Sequence, residues 1–142
     1  MFLKSNFKKY ALLSSALFLF STSSFAFSPI IAGGSAGDLL RSVNGGLDWE
    51  KSTAQPYLQF SSLIQANNQY VGVGNEGGIG VALSSPDGLT WSQVTLADAY
   101  PTQILYADNQ YILVDDGNAE TSIDGINWVK RSIPCLLYTS PS

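Results

Sequence analysis

The sequence predicts an all-β fold built from repeated four-stranded antiparallel sheets. Three observations carry that prediction: a turn ending in tryptophan is written three times, a second block recurs upstream of it in the same order, and short β-branched and aromatic runs are bounded by Asn, Gly, Asp and Pro. Outside the first 26 residues no window of helical length keeps a 3.6-residue apolar period.

Residues 1–26 have the three parts of a secretory signal peptide. Lys4, Lys8 and Lys9 give a basic start, and residues 11–20 are an apolar run. That run is far shorter than the roughly 20 residues of a membrane-spanning helix. Ser24-Phe25-Ala26 then sets small residues at a cleavage site, which predicts a cut between Ala26 and Phe27. The expected product is exported, periplasmic or secreted, with no membrane attachment after cleavage. Cleavage leaves four bases against eleven acids, a net charge of −7. With only Arg41, Lys51, Lys130 and Arg131 as cations, the chain offers no footprint for nucleic acid or an anionic membrane surface.

The repeat occupies residues 27–133. Aligned on tryptophan it reads SVNGGLDW (42–49), SPDGLTW (85–91) and SIDGINW (122–128), with intervals of 42 and 37 residues between the tryptophans. Upstream, NNQYVGV (67–73) is echoed by DNQYILV (108–114). The middle unit reads as four strands, FSSLIQA, QYVGVG, IGVALSS and LTWSQVT, and the third as TQILYA, QYILVD, AETSI and NWVKRS. The first unit starts late, with PIIAGG, DLLRSV and LDWEKS, so its first strand is missing. Four antiparallel strands at a period near 40 describe one blade of a β-propeller, so the chain is expected to supply about the first 2.5–3 blades of a larger ring, as an N-terminal fragment of it. In a propeller such a gap is commonly filled by the last segment of the chain. An open arc should expose apolar blade faces at its C-terminal end and, expressed alone, aggregate or self-associate. Residues 134–142 match nothing in the repeat and resemble translated adapter sequence. They are read as a non-native tail in which Cys135 has no role.

Ser42, Asn44, Gly46 and Trp49 resemble the Asp-box, the Ser-x-Asp-x-Gly-x-x-Trp turn of sialidase-type (BNR) propellers, with Asn in place of Asp. The other two copies, Ser85/Asp87/Gly88/Trp91 and Ser122/Asp124/Gly125/Trp128, are one residue shorter. That shorter form is similar to the turn of bacterial propellers related to photosystem assembly factors. The resemblance implies blade architecture across most of residues 29–132 and leaves function open.

Turn chemistry accounts for these residues without a ligand. An Asp or Asn side chain accepts from backbone N–H groups just beyond it, and the glycine supplies the positive φ that reverses the chain. The tryptophan is expected to point from the fourth strand into the space between blades. Burying about 200 Å² of indole stabilises by at most about 5 kcal/mol, against about 1 kcal/mol for a turn hydrogen bond. Trp91→Ala is therefore expected to unfold the second blade and Asp87→Ala only to loosen it.

Candidate chemistry elsewhere is sparse. Gly72, Gly74 and Gly77 match G-x-G-x-x-G, but a strand-like run follows where a dinucleotide site needs a helix, so we read a turn between strands. Asp115, Asp116 and Glu120 form the densest carboxylate group, yet they lack the spacing of a calcium loop and read as a solvated turn. With no histidine, triads built on histidine and histidine-ligated zinc are excluded for this sequence. We expect no catalytic, cofactor-binding or metal-binding residue. The leading expectation is a non-catalytic exported scaffold that binds a protein or a glycan through interblade loops at one end of the ring. The alternative is a sialidase-like or other carbohydrate-active hydrolase whose catalytic residues lie outside this stretch. Such an enzyme would need three convergent arginines, and Arg41 and Arg131 flank repeat turns instead.

Overall fold

A computed structural model describes residues 27–52, 57–97 and 99–134. The leader predicted at 1–26 and Cys135 with the rest of the tail to Ser142 lie outside the described residues. Three antiparallel sheets follow one another along the chain. The first holds β1 (Ile30–Gly33), β2 (Leu39–Ser42) and β3 (Glu50–Lys51), in that order. The second holds β4 (Leu58–Ala66), β5 (Gln69–Glu76), β6 (Ile79–Ser85) and β7 (Ser92–Thr95), and the third holds β8 (Gln103–Ala107), β9 (Gln110–Val114), β10 (Ala119–Ser122) and β11 (Val129–Arg131). Each sheet is an up-and-down blade, and blade 1 has three strands, as its late start predicts.

The hairpins form where turn residues permit them. Asn67-Asn68 and Asp108-Asn109 both take positive φ, the mirror-image turn whose twist suits a two-residue hairpin. Gly77-Gly78 does the same between β5 and β6, so Gly72 and Gly74 lie in a strand and the dinucleotide pattern has no helix after it. One expectation needs correction. The fourth strands begin after the tryptophans, because the turn extends through Trp91 and Trp128 and ladder pairing starts at Ser92 and Val129.

Side-chain alternation gives every blade two faces, one toward the preceding blade and one toward the next. On β6, Ala82 joins a cluster with Val71, Val73, Leu96, Ala99, Ile104, Tyr111 and Leu113, which is the joint between blades 2 and 3. Val81 and Leu83 face the other way, with Leu58, Phe60 and Trp91, into the joint with blade 1. The ring of Phe60 packs there against Gly33 of β1. The first strands β4 and β8 approach one another, so the blades converge at their inner strands. Pairing fixes equivalent positions across the repeat: Ile30, Tyr70 and Tyr111 stand opposite the turn serines Ser42, Ser85 and Ser122.

Candidate functional site

The three repeated turns have one hydrogen-bond plan. The serine hydroxyl accepts from the glycine N–H, from Gly46 to Ser42 at 2.9 Å, Gly88 to Ser85 at 2.8 Å and Gly125 to Ser122 at 2.8 Å. The same hydroxyl donates to Asn44, Asp87 or Asp124 at 3.0, 3.1 and 2.9 Å. Asp87 Oδ1 then accepts from the N–H groups of Leu89 and Thr90, and Asp124 Oδ1 from those of Ile126 and Asn127. In the longer first turn Asn44 Oδ1 accepts from Asp48 N–H at 2.9 Å. Each indole N–H donates back to the carbonyl of its own turn glycine, at 3.0 Å from Trp49 and 3.3 Å from Trp91 and Trp128.

These bonds favour the ionised carboxylate. The backbone N–H groups of Thr90 and Leu89 hold Asp87 below its ordinary value, and those of Asn127 and Ile126, with the Asn127 amide, hold Asp124 far below it. A lowered folded-state value contributes stability that is present above the unfolded value near 3.8 and is lost as pH falls toward the folded one. Asn44 shows that an amide fits the same turn. Asp124→Asn is therefore expected to cost little at pH 7 and to melt less differently from the parent at pH 2.5. Two melting curves that stay equally far apart at both pH values would contradict it.

The turns also tie each blade to the one before it. Gln69 Nε2 on blade 2 donates to the Asp124 carbonyl at 2.8 Å, and Arg41 Nε on blade 1 donates to the Asp87 carbonyl at 2.8 Å. Tyr111 Oη donates to the Ala66 carbonyl at 2.7 Å, and its counterpart Tyr70 donates to the Pro29 carbonyl at 2.6 Å. Trp91 Nε1 reaches Ser52 Oγ of blade 1 at 2.9 Å. Gly88 lies against Ile31, and Gly125 against the equivalent Val71, with no room for a side chain. The repeated Asn-Gln-Tyr is the sequence signal for three of these ties, those of Gln69, Tyr70 and Tyr111, and sequence reasoning registered the repeat without assigning it this role.

The expectation that all three tryptophans lie buried between blades fails for Trp49. Trp91 and Trp128 are half-buried against the preceding blade, whereas Trp49 is 44% exposed. The cause is position: Trp49 belongs to the face of blade 1 that has no preceding blade among the described residues.

Two cavities flank the joints. One of about 400 Å³ lies beside β1, on the edge that pairs with no strand among the described residues, and is lined by Pro29, Ile30, Leu63, Gln65 and Tyr70 among others. The second, about 230 Å³, lies between blades 2 and 3 and is lined by Thr95, Leu96, Glu120, Trp128 and Lys130 among others. Glu120 is 5% exposed, and its carboxylate forms no hydrogen bond or ion pair among the described residues. Burial, and then the nearby Asp115 carboxylate, push its carboxyl above the usual value, with Lys130 opposing. Leu40 and Leu83 occupy the equivalent place in the other blades. Asp115 Oδ1 caps its own turn by accepting from Asn118 N–H at 3.0 Å, Asp116 is exposed, and no cluster of three potential metal ligands forms among the described residues.

Repeated four-stranded blades converging on their inner strands define a β-propeller protein, of which three blades are described here. Solved propellers share the arrangement. The structure of YCF48 from Cyanidioschyzon merolae matches with a TM-score of 0.61 and 21% identity, covering 84% of this chain and 42% of its own. YCF48 bound to D1 peptide matches with a TM-score of 0.60 and 22% identity, covering 72% of this chain and 36% of its own. The chain thus spans less than half the length of the propellers it matches. No family model and no curated protein matches it.

Proposed function

We propose that the chain is a non-catalytic binding scaffold of the Asp-box propeller type, exported from the cytoplasm, that holds an extended protein segment. The observation that carries this reading is the edge of β1, which pairs with no strand among the described residues. Blade 1 has three strands, and the cavity beside β1 is walled by Leu63 and Gln65 of β4 and by Tyr70. An unpaired strand edge offers N–H and C=O groups to any extended peptide, and the apolar wall gives alternate side chains somewhere to pack. A matched propeller in complex with a peptide, YCF48 with D1 peptide, supports a protein partner. The leader predicted at 1–26 supports export.

The hydrolase alternative gains nothing from the arginines. Arg41 is engaged by Glu50 and the Asp87 carbonyl, and Arg131 donates to Thr121 Oγ1 on the outer strands of blade 3. They stand on different blades and do not converge. An array of random-sequence decapeptides, a glycan array and a panel of fluorogenic glycosides test the reading together. We expect peptide binding that slows amide exchange along β1, with no glycoside turnover. Glycan binding without peptide binding, or turnover of any glycoside, would overturn it.

A further inference from the structure

The repeat itself marks one side chain as out of place. Strand register puts Leu40, Leu83 and Glu120 at equivalent positions, two residues before each turn serine. Two blades fill that position with leucine, so the blade has no structural need of a carboxylate there. Glu120 is nonetheless 5% exposed, and its carboxylate has no hydrogen bond or ion pair among the described residues. A buried charge without a partner costs stability, and side chains kept at such a cost concentrate at binding sites. The carboxylate is not sealed in. Among the described residues, Gln93 Oε1 is the fully enclosed side-chain polar atom without a partner, so the Glu120 oxygens keep contact with the cavity of about 230 Å³ that the residue lines.

Both walls of that cavity belong to described blades. Thr95, Leu96 and Ala97 close it from the end of blade 2, and Glu120, Trp128 and Lys130 close it from blade 3. Its charges come in both signs. Lys130 stands directly opposite Glu120 across the β10–β11 ladder, where Cβ atoms lie roughly 4.5–5.5 Å apart, yet the two form no ion pair. A simple cation in the cavity would meet the Lys130 ammonium, and a divalent metal would find one carboxylate where it needs several oxygen ligands. A small zwitterion satisfies both charges at once. From this we infer that the cavity between blades 2 and 3 binds a free α-amino acid with an apolar side chain. Its ammonium would pair with the Glu120 carboxylate and its carboxylate with Lys130, while the side chain packs on Trp128 and Leu96. The volume lies below the roughly 300–1,000 Å³ of pockets that take drug-sized molecules, which suits so small a ligand. The site is separate from the edge of β1, so it stands or falls independently of peptide binding.

Proton–nitrogen correlation spectra of the full chain, titrated with L-leucine, L-valine and L-phenylalanine, test the inference. We expect at least one of the three to shift the amide signals of Leu96, Glu120 and Lys130 saturably and to leave those of β1 unmoved. For that amino acid, the analogue without the carboxylate (isoamylamine for leucine) and the analogue without the ammonium (4-methylpentanoate) should each bind about tenfold more weakly or worse. Glu120→Gln keeps the shape, removes the charge and should abolish the shifts. Lys130→Met, at an exposed position, should weaken the amino acid and leave the amine analogue no weaker. No saturable shift at these residues from any of the three at about 10 mM overturns the inference. So does an amine analogue that binds as tightly as its amino acid, or unchanged amino-acid binding in either folded variant. Should Glu120→Gln fail to fold, Lys130→Met and the analogues still decide.

Discussion

Trp91→Ala should lower the melting temperature of the chain by about 10 °C or more, and Trp49→Ala by about 3 °C or less, when both are measured at a concentration where copies stand apart. The difference comes from what each indole covers. Trp91 packs on the Leu58, Val81 and Leu83 cluster, and its N–H reaches the Ser52 hydroxyl, itself 2% exposed, across the joint. Truncation opens a void between two blades and removes that bond. A fully buried tryptophan costs about 3–5 kcal/mol on truncation, and half-burial brings the figure to about 2–3 kcal/mol. Trp49 covers little beyond its own turn. Half-burial also narrows the gap between Trp91→Ala and Asp87→Ala expected from sequence, since Asp87 organises three donors in its turn. Equal melting losses for Trp49→Ala and Trp91→Ala in the dilute chain would show that the tryptophans act only within their turns.

Glu120→Leu should raise the melting temperature at pH 7 by about 5–10 °C, corresponding to roughly 1–2 kcal/mol, a figure reduced because the carboxyl borders an open cavity. Burial and the Asp115 carboxylate raise the folded-state value of Glu120 above 4.5, so its ionised form weighs against the folded state. For a carboxyl with a raised folded value the penalty is absent below 4.5 and grows as pH rises toward the folded value. The gain from leucine should therefore be full at pH 7 and fade below about pH 4, which melting curves at the two pH values would read directly. This trend opposes that of Asp87 and Asp124, whose contributions fade with acid. Glu120→Gln separates charge from shape: most of the gain should persist in it. A variant less stable than the parent at pH 7 would mean that the carboxylate has a partner in solution.

Strand order and turn positions were legible in the sequence because both are local. Asn-Asn, Asp-Asn and Gly-Gly mark hairpins through the φ they tolerate, and each Ser-x-Asp plan is complete within a few residues. Burial was less legible, since the same tryptophan is more or less covered according to whether another blade stands beside it among the described residues. Trp49 illustrates this, as the extra residue and the Asn44 of SVNGGLDW leave the Ser–Gly and indole–carbonyl bonds of its turn the same as in the turns whose indoles are better covered. Glu120 was visible only as part of an acidic run. Its burial depends on register, which sets it where other blades place Leu40 and Leu83. The ties through Gln69 and Tyr111 link residues about 40 to 55 positions apart and emerge only once the blades are docked.

Tyr111 and Asp124 sit in the repeated unit, and so does the Gln69 that secures them from the unit before. A gene that copies such a stretch in tandem inherits both halves of a working latch without inventing either. Lengthening the array then changes only how far the curve travels, which makes blade number the easiest property of this architecture to vary.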